Sequence, residues 1–151
     1  VNEGGIRVPT IATWPKKIKP GTYSEHPSTF YDYYATVSDI INKELPYSID
    51  GISYYPTLID EKQDKHDYLY WEFPAYGGQQ AIRVNNWKGI KKNLFKGPSK
   101  LQLYNLDEDP KELNDVAFKY PEIVSRMEDF MREAHTTPKM DKFKIPALDN
   151  K

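Results

Sequence analysis

The chain has 151 residues, with 21 Lys+Arg against 22 Asp+Glu, three His and no Cys, a length that suits one domain or slightly more. A net charge of −1 argues against a general polyanion binder, whose grip on phosphate backbones comes from surplus Lys and Arg, so no nucleic-acid partner is expected. The lack of cysteine excludes a disulfide scaffold, thiolate metal sites and a Cys nucleophile, and no apolar run approaches the roughly 20 residues of a membrane-spanning helix.

Glu3-Gly4-Gly5 opens the chain as a turn, followed by a strand-like run from Ile6 to Trp14 in which Pro9 demands an edge or a bulge. Pro15 and Pro20-Gly21 close that run with loop chemistry. A helix is predicted next, capped by Ser28 or Thr29 with Asp32 in a capping-box-like position. Its stripe is Tyr34, Val37 and Ile41, widened by Ile40, and Pro46 ends it. Residues 47–65 read as a loop with an Asp50-Gly51 turn, and the charge-dense stretch from Asp60 to Asp67 as a solvated boundary.

Beyond that boundary the pattern becomes a strand series. Tyr68 to Phe73 is rich in β-formers, and Gly77-Gly78 breaks the loop after it. Ala81 to Val84 and Trp87 to Lys91 flank Asn85-Asn86, a two-residue loop suited to a type I′ hairpin. Leu101 to Tyr104 is a further strand. Pro121 fits the first position of a last helix, along which Ile123, Met127, Phe130, Met131 and Ala134 recur at helical spacing. The tail from Thr136 is expected to be extended. With 12 Tyr and aromatics at 14% of the chain, the core is expected to lean on amphipathic rings.

Few residues carry obvious chemistry. His26, His66 and His135 lie far apart without a metal-binding spacing, and the serines include no Gly-x-Ser-x-Gly elbow. Glu72 stands out, a carboxylate between Trp71 and Phe73, followed by Gly77-Gly78-Gln79-Gln80. Rings that stack on a sugar face, beside Glu and Gln that bond its hydroxyls, make Trp71, Glu72, Gln79 and Gln80 candidate substrate-binding residues. Solvent exposure of Glu72, or a cross-strand pair with Lys88 or Arg83, is the plainer alternative.

Read together, Glu3-Gly4-Gly5-Ile6-Arg7-Val8-Pro9, Trp14-Pro15 with Pro20-Gly21, Phe30-Tyr31-Asp32 and Asp50-Gly51-Ile52-Ser53 begin an ordered series of motifs. Pro56-Thr57-Leu58, the Tyr68–Phe73 run, Ala81-Ile82-Arg83, Trp87-Lys88 and Leu103-Tyr104-Asn105-Leu106 continue it. Asp109-Pro110, then Glu112 with Asn114-Asp115-Val116-Ala117, and Glu133-Ala134-His135-Thr136 complete it. The series resembles the type I, formylglycine-dependent sulfatases from the segment just after their sulfate-binding lysine, and most of all the glycan-desulfating members.

That resemblance implies an alkaline-phosphatase-like α/β edge strand and helix, followed by an α+β C-terminal subdomain with a four-stranded antiparallel sheet packed by one helix. Residues 1–64 would end the large α/β domain, 65–136 would form the small subdomain, and 137–151 would be an extended tail. It implies an N-terminal catalytic domain of the same chain as partner, a sulfated carbohydrate as substrate, and calcium with a formylglycine nucleophile upstream. No catalytic or metal-binding residue is then expected after Val1, the chain alone would be inactive, and the location would be periplasmic or extracellular. A stand-alone carbohydrate-binding module, or part of another alkaline phosphatase superfamily hydrolase such as a phosphodiesterase, are the competing readings.

Overall fold

The computed structural model describes residues 1–149. In chain order its helices and strands are α1 (Glu3–Ile6), α2 (Asp32–Ile40), α3 (Tyr55–Leu58), β1 (Leu69–Phe73), β2 (Gln79–Val84), β3 (Trp87–Lys92), β4 (Gln102–Asn105), α4 (Pro121–Ala134) and α5 (Pro146–Asp149). The chain forms two compact units, one from Pro9–His66 and the other from Val1–Val8 together with the chain from Asp67 onward.

The second of these units is built on the expected four-stranded antiparallel sheet, with strand order β1-β2-β3-β4. Val84 pairs with Trp87 across the two-residue Asn85-Asn86 loop, where Asn85 takes a left-handed φ of 54°. Residues opposite one another on paired strands share a face, and successive residues alternate. Tyr70, Glu72, Gln80, Ile82, Gly89 and Leu103 therefore share one face. Against it packs α4, which starts with Pro121 at its first turn and buries Met127 and Met131. Ile82, Leu101, Leu103, Met127 and Met131 form the resulting core.

The opposite face carries Trp71, Gln79, Ala81, Lys88, Ile90 and Tyr104. Ala81, Ile90 and Tyr104 are buried there, with Trp71 and Val1 packed against them. The run from Ile6 to Trp14 does not make a strand. Glu3–Ile6 is one helical turn, and residues 7–14 lack regular structure. A strand needs a hydrogen-bonded neighbour, and the sheet's strands are satisfied by each other. Ile11 is left 91% exposed. The tail also departs from the extended form: a 3₁₀ turn spans Asp141–Phe143 and α5 follows, with Ile145 fully buried between them. Residues 150 and 151 of that tail lie outside the described residues.

In the unit Pro9–His66, Asp32 is the organising group. Its buried carboxylate accepts the Thr29 N–H at 2.7 Å and the Ile52 N–H at 2.9 Å, and lies 2.8 Å from His66 Nε2. One turn along α2, the Thr36 hydroxyl donates to the Asp32 carbonyl at 2.8 Å and accepts the Tyr54 N–H at 3.0 Å. Helix α2 therefore buries Asp32, Ala35, Thr36 and Ser38, not the apolar stripe expected of it. Tyr34 and Ile41 remain exposed, as do Phe30 and Tyr33. The polar groups face inward because they satisfy loop N–H groups that no ladder reaches.

Candidate functional site

Strand alternation divides the four candidate residues into two pairs on opposite faces of the sheet. Glu72 and Gln80, direct partners in the β1–β2 register, lie on the α4 side, and Trp71 and Gln79 on the other.

On the α4 side the polar groups are spent on one another. The Tyr70 hydroxyl donates to Glu72 Oε1, and Gln80 Nε2 donates to the Tyr70 oxygen at 2.5 Å. His135 Nδ1 sits 2.6 Å from the same Glu72 oxygen, and its Nε2 lies 3.1 Å from Asp149 Oδ1. Gln80 is 2% exposed. Burial, reinforced by the hydrogen bond to the Glu72 carboxylate, pushes the Tyr70 hydroxyl pKa well above the usual phenolic range. Glu72 thus pairs with neither Lys88 nor Arg83, since alternation puts both of those on the far face.

Asp149 closes this network from the tail. Burial alone would raise its pKa, yet the Ile145 N–H, the Thr137 hydroxyl and His135 outweigh it and hold the carboxyl below its usual range. A depressed folded-state pKa stabilises above the ordinary carboxylate value of about 3.9 and loses that contribution as pH falls through the folded value. Asp149→Asn is therefore expected to weaken protection of the Ile145 N–H near neutral pH. The gap from wild type should close in acid, as read by amide hydrogen exchange.

On the far face lies a buried ion cluster that the sequence reading did not single out. Lys88 Nζ is 2.5 Å from Glu3 Oε1 and 3.6 Å from Glu112 Oε1, and stands 5.4 Å from the Trp71 ring centroid. Glu112 Oε2 accepts the Glu3 N–H at 2.8 Å and Asn2 Nδ2 at 2.9 Å. Arg83 reaches Glu3 Oε2 at 3.9 Å. Gln79 Oε1 accepts from the Val1 nitrogen at 3.3 Å. Trp71 and Gln79 therefore flank the start of the segment that the cluster holds. One sequence signal was available for Lys88: it shares strand parity with Ile90, at an inward position where a charge needs a partner.

Among the described residues no three His, Asp or Glu side chains are placed to hold a metal ion, and the sequence contains no Cys/Ser-x-Pro-x-Arg motif. A cleft of about 170 Å³ opens beside Trp87 and Tyr120, and another of about 290 Å³ beside Ser38 and Lys43; none of the four candidate residues lines either.

A four-stranded meander backed by one helix is consistent with the C-terminal subdomain that the sulfatase resemblance implies. Residues 1–137 match the family of the N-sulphoglucosamine sulphohydrolase C-terminal region, and the chain belongs to that family. It is 29% identical over 149 residues to the N-acetylglucosamine-6-O-sulfatase of Bacteroides thetaiotaomicron, covering 93% of this chain and 26% of that protein. It is 30% identical over 149 residues to human arylsulfatase K, covering 91% of this chain and 27% of that one. A protein solved in complex with its substrate D-glucosamine-2-N,6-O-disulfate shares the fold, with a TM-score of 0.69 at 23% identity over 91% of this chain and 29% of the other. The chain spans about a quarter of the length of these two curated relatives.

Proposed function

We propose that this chain is the C-terminal part of a sulfatase that hydrolyses sulfate esters of a glycan. In this reading an N-terminal domain of the same polypeptide carries the reactive centre, with its formylglycine nucleophile and calcium, and the enzyme works in the periplasm or outside the cell. The observation that carries the reading is the match of residues 1–137 to the family, within relatives about four times as long. That match favours this reading over a stand-alone carbohydrate module.

The chain's own contribution is scaffold and substrate border. Trp71 and Gln79 are the border residues that the geometry favours, since they flank the segment which, by resemblance, follows the sulfate-binding lysine. Glu72 and Gln80 contribute from the opposite face by fixing the β1–β2 edge through Tyr70 and His135. The test expresses the full-length gene product and the 151-residue chain side by side. The full protein is expected to release sulfate from 6-O-sulfated N-acetylglucosamine, and the chain alone to release none. In the full protein, Trp71→Ala is expected to raise KM about 3- to 10-fold, the worth of one aromatic stacking contact. Turnover by the isolated chain, or an unchanged KM in both Trp71→Ala and Gln79→Ala, would overturn the respective part of the reading.

A further inference from the structure

His135 stands between two carboxylates that belong to different parts of the chain. Its Nδ1 lies 2.6 Å from Glu72 Oε1 in β1, and its Nε2 lies 3.1 Å from Asp149 Oδ1 in α5. An ionised carboxylate only accepts, so both bonds form together only when each ring nitrogen carries a proton. A neutral imidazole has one N–H and turns a lone pair toward the other carboxylate. One proton therefore decides whether the ring bridges both partners or repels one of them. The two partners are unequally fixed. Glu72 sits in a paired strand and also accepts from the Tyr70 hydroxyl. Asp149 ends a four-residue helix and makes the longer of the two contacts, so it is the side that gives.

What hangs on that contact is the tail. The Asp149 side chain is 1% exposed, and its second oxygen accepts the Ile145 N–H at 2.7 Å. Ile145 is buried against the Gly77-Gly78 loop, where a Cβ on Gly78 would stand 3.3 Å from Ile145 Cγ2. We propose that His135 is a proton-operated latch: its doubly protonated ring holds residues 137–149 as a strap against the Gly77-Gly78 loop, and loss of one ring proton frees the strap. Opening bares the Glu72 carboxylate beside the apolar seat of Ile145. The other titratable groups that face the latch are Tyr70 on β1 and Lys144, which feels Asp149 from the turn before α5. Burial keeps the Tyr70 hydroxyl protonated through neutral and mildly alkaline pH, and the bond to Asp141 keeps Lys144 charged. Asp149 stays ionised there, because the contacts that lower its pKa outweigh its burial. The strap is therefore expected to loosen as pH rises.

The experiment is amide hydrogen exchange on the full-length protein, read as protection factors from about pH 5 to pH 9, across the ordinary charge change of histidine. The Ile145, Leu148 and Asp149 amides, all hydrogen-bonded within the strap, are expected to lose protection about 10- to 100-fold as pH rises. That is the worth of one charge-assisted hydrogen bond. The amides of Ala81 and Ile90 in the sheet core should keep theirs. His135→Gln, a neutral side chain that takes up no proton, should hold the strap at the wild-type high-pH level throughout. Asp149→Asn should also flatten the profile, because its amide donates to a bare ring nitrogen. Strap protection that is independent of pH in the wild type overturns the proposal, as does a His135→Gln protein that keeps the wild-type pH dependence. Loss of protection in the strap and the sheet core together reports global unfolding and overturns it as well. None of these readouts involves sulfate release, so the latch and the sulfatase reading stand or fall separately.

Discussion

Lys88→Met is expected to destabilise the sheet unit by about 3–5 kcal/mol, the loss typical of removing one partner from a buried ion pair. The lysine has no exposed surface and its neighbours Glu3 and Glu112 are themselves 6% and 9% exposed. Methionine fills much of the same volume, so the packing loss is small. What remains is Glu112 without a cation and Glu3 with only Arg83, 3.9 Å away, where the ammonium had stood 3.6 and 2.5 Å from them. The size of the effect reports the isolation of those charges and not the net worth of the cluster. A triple variant with Lys88→Met, Glu3→Leu and Glu112→Leu should therefore recover part of the loss, the remainder being the Glu3 N–H and Asn2 amide left without their Glu112 acceptor. Urea unfolding followed through Trp71 and Trp87 fluorescence reads both. A Lys88→Met loss below about 1 kcal/mol, the level of an exposed pair, would show that water reaches the cluster.

Gly51→Ala is the second large effect, and its cause is purely steric. A Cβ at position 51 would stand 2.2 Å from the Tyr31 carbonyl oxygen, 2.9 Å from its carbon and 3.1 Å from the Asp32 Cα. All three are backbone atoms at the start of α2, so no side-chain rotation relieves the clash. Relief requires the loop to withdraw, which breaks the bond from the Ile52 N–H to the Asp32 carboxylate and leaves a buried acceptor short of a donor. Overpacking against backbone together with a lost charge-assisted hydrogen bond amounts to about 3 kcal/mol or more. Hydrogen exchange should show early loss of protection at Ile52 and Tyr54, with the amides of β1 to β4 still protected.

Legibility in the sequence followed the range of the interactions. The sheet and α4 were readable because their signals are local: β-rich runs, a two-residue Asn-Asn loop, Pro121 at a helix start and methionines four residues apart. The run from Ile6 to Trp14 misled because its strand propensity is real while its partner strand is absent from the sheet. The buried face of α2 misled for a related reason. Its apolar stripe is genuine, but inside this chain the helix is held by Asp32 and Thr36, whose partners Ile52, Tyr54 and His66 lie 18 to 34 residues away.

At the candidate site, the residue types were legible and their grouping was not. Trp71, Glu72, Gln79 and Gln80 look contiguous on paper, yet a two-residue period puts neighbours on opposite sides of a sheet. The Glu3–Lys88–Glu112 cluster joins positions up to 109 residues apart, and no local pattern announces it. Glu72 found its partner in His135, 63 residues on, where the sequence had offered only strand neighbours.

The clasp between Glu3 and Glu112 has a consequence for biosynthesis. The two residues emerge from a ribosome 109 positions apart, and at about 5–20 residues per second the first waits roughly 5 to 20 s for the second. During that interval the Pro9–His66 stretch can assemble around Asp32 on its own, whereas Asn2 and Glu3 still lack the Glu112 carboxylate that holds them. The last stitch of this region is therefore made late in translation, and a ribosome stalled before residue 112 would hold its early product open at the very edge that the finished molecule seals.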